Sequence, residues 1–515
     1  MKKQSLAKSA ALMGVIILLS KIMGLVRDCM IASAYGTTEA AIAYETASKL
    51  PVTIFDFVLG GVVTSAFIPV YNSIAVKKGR QEATSFAQSY VNLILVITLA
   101  LAVLGTVFAP ALVSLIAPEL EGTTASLASD LTRIMFPMVI FVGLAFSFVG
   151  FLQSEGEYNI PAVISLVSNL IMVGYLLFFN NTFGVTGLAV SMLIGWGAQA
   201  AVQIPAVVKR GFRYRLTAPL TTPEIAHAAK NTLPILIATW TTPVCSLINT
   251  NLASGIDGGR AINALGYANR LYIIIVGLFS FVATNLLFPY FARAAAEGNR
   301  DESDRLTRTS IRTLTFIIAP IAVGVMVLSE PFVALIYENG AFNASDTAIT
   351  ATALRYYAVG MVFAAVGEVL TKAFFAVEKT RLPMISSVIS MGFNIAVIVI
   401  FGEKLGIGGI ALVSALAAGV NMAVNWAFAV KNRLISPDRC DLADLAKSIA
   451  SAALMGIAVY FAAQLPFLAS GGRIIGFALP TLIGVMVYAA CTAILRSQEM
   501  LSLIRVFASK LNRTH

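Results

Sequence analysis

Runs of about twenty or more mainly apolar residues recur fourteen times along this chain of 515 residues. A helix of that length crosses the hydrocarbon core of a bilayer. Lipid offers no hydrogen-bond partners, so a spanning segment must satisfy its own backbone, which a helix does. Each run is therefore predicted to be a transmembrane α-helix. They lie at about 8–34, 44–75, 86–116, 127–152, 160–180, 186–208, 226–253, 263–291, 308–337, 347–376, 382–401, 407–430, 446–466 and 474–495. Only 12% of the residues are charged, against roughly 25% in an ordinary soluble domain. The opening MKKQSLAK reads as the flank of span 1 rather than as a signal peptide, because the apolar run continues past Lys21 and Arg27 without an A-x-A site.

Charge sets the orientation. With an even number of spans and an inner N-terminus, 25 Lys and Arg residues fall in inner loops and tails. Three, Arg260, Lys404 and Arg473, fall outside. This asymmetry predicts both termini on the cytoplasmic side. The net charge of +10 is thus a matter of topology, and nucleic acid is not an expected partner. A tail at 497–511, with Leu501, Ile504 and Phe507 on one face and Arg505 and Lys510 off it, is expected to lie on the membrane surface.

The chain repeats itself. IPAVISLVSN at 160–169 aligns with LPMISSVISM at 382–391, and FGVTGLAV at 183–190 with LGIGGIAL at 405–412, both at an offset of 222. AFIP at 66–69 matches LLFP at 286–289, and IAYETASKLP at 42–51 runs against NALGYANRLY at 263–272. The unit holds six spans, an even number, so both copies have the same topology. The predicted fold class is an all-α polytopic membrane protein with 14 transmembrane helices. Two six-helix lobes, residues 1–215 and 216–435, are related by a pseudo-twofold axis along the membrane normal. Two extra helices and a cytoplasmic amphipathic tail occupy 436–515.

No catalytic signature is present: there is no GxxxxGK[ST], HExxH or GxSxG, so no enzyme activity is expected. Four scattered cysteines and two histidines give no disulfide framework or metal cluster. No cofactor is expected. Without a nucleotide site, transport must draw on an ion gradient or the membrane potential.

With Lys8, Arg308, Arg312 and Lys447 at inner span ends counted among the loops and tails, eight of the 36 basic residues lie inside the spans: Lys21, Arg27, Lys49, Arg133, Lys230, Arg270, Arg355 and Lys372. A cation at mid-bilayer costs about 2.5–3.5 kcal/mol on insertion scales, so it calls for a polar cavity or a counter-charge. In span 1, Lys21, Gly24 and Asp28 share a helix face, with Arg27 about a third of a turn away. In span 2, Glu45, Lys49 and Asp56 cluster within about 40° on a helical wheel. Glu45–Lys49 and Glu368–Lys372 are i,i+4 pairs. Arg270 has no carboxylate three or four residues away. The repeat sets it opposite Lys49, an arrangement suited to a pyrophosphate held from two sides. Arg133, Lys230 and Arg355 sit nearer span ends, where long side chains snorkel to the interface.

SKIMGLVRD in span 1, YETASKLP and GGVVTSAFIPVYN in span 2, GFLQSEGEYNIPA after span 4, NTNLASG and YANRLY around spans 7 and 8, and LTKAFFAVEKTRLP after span 10 resemble the bacterial MurJ/MviN family. These are lipid II flippases of the multidrug/oligosaccharidyl-lipid/polysaccharide exporter superfamily. The resemblance implies a two-lobed, alternating-access carrier. It would move undecaprenyl-pyrophosphate-linked peptidoglycan precursor outward across the cytoplasmic membrane, with a cationic cavity for the headgroup and a groove by spans 13 and 14 for the tail. Carried over by position, the family's span 1 pair falls on Arg27 and Asp28, its earlier basic residue on Lys21 beside Ser20, and its span 8 arginine on Arg270.

The chain also departs from the pattern. Phe55 and Asp56 stand where many members have an arginine after K-L-P, Ile42 replaces an acidic residue, and Ile273 stands where a Glu often follows the span 8 arginine. The family's sodium site finds no matching carboxylates, so the coupling ion stays open. The expected headgroup contacts are Lys21, Arg27, Asp28, Lys49 and Arg270, with Ser20, Gly24, Glu45, Asp56, Glu368 and Lys372 as accessories. The expected partners are lipid II, membrane lipids and other cell-wall synthesis proteins. A flippase for another polyprenyl-linked oligosaccharide and a cation-coupled drug antiporter are the alternatives; the antiporter predicts a carboxylate-rich cavity.

Overall fold

A computed structural model describes residues 2–59, 67–216, 219–220, 240–282, 287–436, 438–465 and 472–502. Within them, the side chains of residues 2–13, 242, 278–282, 289, 403 and 439 are not described. Lys230, most of the predicted surface tail, and the ends of several spans lie outside this set.

Every regular element among the described residues is helical. The chain forms α1 (Lys2–Tyr35), α2 (Glu39–Leu59), α3 (Phe67–Lys78), α4 (Arg80–Val107), α5 (Ala109–Ile116), α6 (Gly122–Met135), α7 (Met138–Ser154), α8 (Asn159–Phe178) and α9 (Asn180–Lys209). Next come α10 (Thr241–Ser254), α11 (Arg260–Val282), α12 (Phe288–Ala296), α13 (Arg300–Val327), α14 (Ser329–Tyr337) and α15 (Ala344–Ala376). The last are α16 (Arg381–Phe401), α17 (Gly406–Lys431), α18 (Arg439–Ala463) and α19 (Gly472–Ile494).

Nine described helices are long and apolar enough to cross a membrane, or ten if the bent pair α6 and α7 makes one span. The remaining predicted spans are 1, 2, 7 and 8. Span 1 is the continuous helix α1, whereas spans 2, 7 and 8 run through residues outside the described set, and each of the four carries a buried-cation candidate: Lys21 and Arg27, Lys49, Lys230, and Arg270.

Three predicted spans are broken where the sequence reads as continuous. Span 3 divides at Phe108 (φ −91°, ψ 15°) and span 9 at Leu328 (φ −98°, ψ 22°). Pro110 and Pro331 lie just beyond, in the first turns of α5 and α14. Span 4 bends by 42° between α6 and α7, at Phe136 and Pro137. Proline lacks an N–H and its ring collides with the preceding turn, so it interrupts a helix but suits the start of a new one. By contrast α2 continues through Pro51 as far as Leu59.

The chain divides into two compact units: Met1–Asn263 with Asn339–Phe342, and Ala264–Glu338 with Asn343–His515. In the first unit α1 packs on α8, α8 on α9, α9 on α7, α7 on α4, and α2 on α6. The short segment Asn339–Phe342 is tied to the end of α1, where the Ala341 N–H donates to the Ser33 carbonyl at 2.7 Å. In the second unit α15 packs on α13 and α17, α16 on α17, and α18 on both α13 and α19.

Helix association in lipid depends on close fit rather than on expelling water. Gly456 of α18 illustrates this: a Cβ there would lie 2.5 Å from Val323 of α13. Phe316, Ala319, Met455, Val459 and Tyr488 fill the core where α13, α18 and α19 meet. The Tyr488 hydroxyl donates to the Phe316 carbonyl at 2.7 Å, so its polar tip is satisfied inside that core. Outward faces stay apolar, as Leu99, Val103, Leu482, Val485 and Met486 show.

Candidate functional site

Span 1 supplies the most fully built cluster. Arg27 projects from α1 with its side chain partly exposed, beside the buried Asp28. Its Nε and Nη2 donate to Asp28 Oδ1 at 3.1 and 2.8 Å. Its Nη1 donates to Oδ1 of Asn169, on α8, at 2.8 Å. Asn169 Nδ2 in turn donates to the Ser20 carbonyl at 3.1 Å. Gly24 sits beneath this amide, where a Cβ would come 3.4 Å from Asn169 Nδ2. Of the face read from the sequence, Lys21, Gly24 and Asp28, it is Gly24 that meets Asn169, together with Ser20 and Arg27. Lys21 is exposed.

Span 2 holds the second cluster. Lys49 Nζ lies 3.3 Å from Glu45 Oε1 within α2, and the carboxylate is buried. Asp56, two turns further on, is half-buried. In the second unit, Arg270 is half-buried on α11 with its Cζ 5.5 Å from the centre of the Tyr267 ring. Tyr267 is buried and packs against Tyr337, ring centres 5.1 Å apart. A guanidinium over an aromatic face gains electrostatic stabilisation. Lys372 lies 3.3 Å from Glu368 and 5.7 Å from the Phe375 ring, as the i,i+4 spacing predicts.

The span-end cations separate from these. Arg133 pairs with Asp130 at 2.7 Å in an exposed position, which fits snorkelling. Arg355 is exposed and donates to the Ser329 hydroxyl at 3.3 Å.

Sequence reasoning passed over two features. One is Asn169, a neutral residue inside an apolar run; the visible signal was an Asn in span 5. The other is what the SEGEY motif does. Glu155 accepts from the Tyr71 hydroxyl at 2.7 Å and pairs with Arg80 at 2.6 Å, while Glu157 pairs with Arg210 at 2.8 Å. The motif, at the end of α7, therefore joins the middle of α3, the start of α4 and the end of α9.

Long apolar helices with apolar outer faces, and charges held in partnered clusters within them, define a polytopic membrane protein. Its fold is shared with an inward-facing multidrug resistance MATE family transporter of the MOP superfamily: TM-score 0.67, 16% identity, covering 82% of this chain and 98% of that one. A structure titled lipid II flippase MurJ, inward closed conformation, matches at TM-score 0.80 and 25% identity, covering 94% of this chain and 98% of that one. The family profile described as Lipid II flippase MurJ matches residues 31–469. A protein of Rhizobium meliloti (strain 1021) named probable lipid II flippase MurJ is 31% identical over 467 residues, 89% of this chain and 87% of the relative. The chain belongs to the lipid II flippase MurJ family.

Proposed function

We propose that the chain carries lipid II from the inner to the outer leaflet of the bacterial cytoplasmic membrane by alternating access. Family membership and the partnered Arg27 support this reading. Charge-assisted, forked donation suits a pyrophosphate. Lys21, Arg27, Lys49 and Arg270 contact the pyrophosphate-sugar headgroup, and Asp28 orients Arg27. Ser20, Gly24, Glu45, Asp56, Glu368 and Lys372 shape or neutralise the surroundings.

The carrier has fourteen spans with both termini in the cytoplasm. Residues 1–215 and 216–435 form two six-span lobes about a pseudo-twofold axis along the membrane normal, followed by spans 13 and 14 and the tail in 436–515. Helix breaks at Phe108 and Leu328, 220 residues apart, support the repeat. The protein makes and breaks no bond of its cargo and uses no cofactor. Membrane potential or an ion gradient drives it, among membrane lipids and in company with cell-wall synthesis proteins.

Complementation tests the proposal. In a bacterium depleted of its own flippase, the wild-type chain restores growth and delivers lipid II to the outer leaflet. Arg270→Ala inserts normally and fails at both. Normal growth on Arg270→Ala alone would remove the central cation from the mechanism.

A further inference from the structure

We propose that Asn169 is a positioning residue for Arg27, an inference that rests on Arg27 being a headgroup contact. A guanidinium carries five N–H donors. Two of them go to a single oxygen, Asp28 Oδ1, at 3.1 and 2.8 Å. Bonds to one atom leave the guanidinium able to pivot about it. The third bond, from Nη1 to Asn169 Oδ1 at 2.8 Å, comes from a different helix and removes that pivot. Among the described residues these bonds leave one N–H on each Nη nitrogen, in a fixed plane, for an incoming phosphate oxygen.

Asn169 is itself held. It is buried, at 4% exposure, and its Nδ2 donates to the Ser20 carbonyl. That bond settles which end of the amide faces the arginine. Ser20, Gly24 and Arg27 lie at i, i+4 and i+7 of α1, so one amide bridges two turns of the helix across the glycine. The choice of residue carries an electrostatic consequence. Asp28 already balances the charge of Arg27. A second carboxylate would take a unit of positive charge from the site and weaken its attraction for a pyrophosphate, whereas an amide orients the guanidinium without adding charge.

The test uses the full-length protein in proteoliposomes, with the initial flipping rate measured against lipid II density. Asn169→Leu is expected to raise the density for half-maximal rate about tenfold, the scale of one lost hydrogen bond to a charged group. The maximal rate should change little. Asn169→Asp, which keeps the volume, is expected to raise it further, and keeps the proposal falsifiable if the leucine variant misfolds. In an Arg27→Lys background, Asn169→Leu should add less than about twofold, because lysine has no planar fork to orient. An unchanged half-saturation in Asn169→Leu and Asn169→Asp overturns the proposal. So does an equal loss in both backgrounds, which marks packing alone. A harmful Arg27→Ala beside harmless changes at 169 removes this inference only, whereas a harmless Arg27→Ala removes the headgroup role as well.

Discussion

The guanidinium of Arg312 in α13 stands 2.6 Å from the carboxylate of Asp441 in α18, and both side chains are largely buried. Arg312 also donates through Nε to Glu499, beyond α19. Arg308, one turn earlier, takes the other oxygen of Asp441 at 2.8 Å. These bonds tie α13, α18 and the segment after α19 together within the second unit, beside the apolar core around Tyr488. Removing one partner of a buried ion pair costs about 3–5 kcal/mol, because the other charge is left behind. Asp441→Ala should therefore lower the melting temperature of the purified protein markedly. Asp130→Ala, which breaks the exposed pair with Arg133, should leave it nearly unchanged, since exposed pairs contribute about 0–1 kcal/mol.

Tyr267 offers a graded test of how Arg270 is held. Tyr267→Phe keeps the ring under the guanidinium and should flip lipid II at close to the wild-type rate. Tyr267→Leu removes the ring face, worth about 0.5–2 kcal/mol. Its flipping should fall severalfold but remain above that of Arg270→Ala. Equal rates for the phenylalanine and leucine proteins would show that the ring does nothing for transport.

Gly340 has no room for a side chain. A Cβ there would lie 2.3 Å from the Ser33 carbonyl oxygen, and its φ of +58° is one that other residues rarely adopt. Gly340→Ala should destabilise the protein by about 1–3 kcal/mol, read as earlier thermal unfolding. Gly392, inside α16 and with open space where a methyl group would sit, makes the control. Gly392→Ala should be neutral or slightly stabilising, because alanine is the better helix former.

Cys440 reports topology. It is an exposed free cysteine beside the start of α18, on the side that the charge asymmetry assigns to the cytoplasm. A membrane-impermeant maleimide should label it in inverted vesicles and not in intact cells with a permeable outer envelope. Labelling from outside would reverse the proposed orientation of both termini.

Hydrophobic length and charge carried the broad class, because a bilayer imposes both on any chain that crosses it. Local pairs were also readable: Glu45–Lys49, Glu368–Lys372 and Arg27–Asp28 follow from helical spacing or adjacency alone. Asn169 was not, because its role depends on which helix lies beside α1, and 142 residues separate it from Arg27. The breaks at Phe108, Phe136 and Leu328 were hidden for another reason. Hydropathy is blind to backbone direction, and the nearby prolines were obscured by apolar neighbours. The network of Arg308, Arg312 and Asp441 was not legible either, since nothing local announces bonds between residues some 130 apart.

Asn339–Phe342 belongs to the first unit although it follows the opening stretch of the second, Ala264–Glu338, in the chain. On the ribosome, therefore, the first unit cannot be finished when its 263 leading residues have emerged. It waits for residue 342, by which time three or more further helices have been synthesised. A gene cut between Asn263 and Ala264 would give a first fragment that lacks a piece of itself. The bond from Ala341 to Ser33 can form only after the opening helices of the second unit have been made.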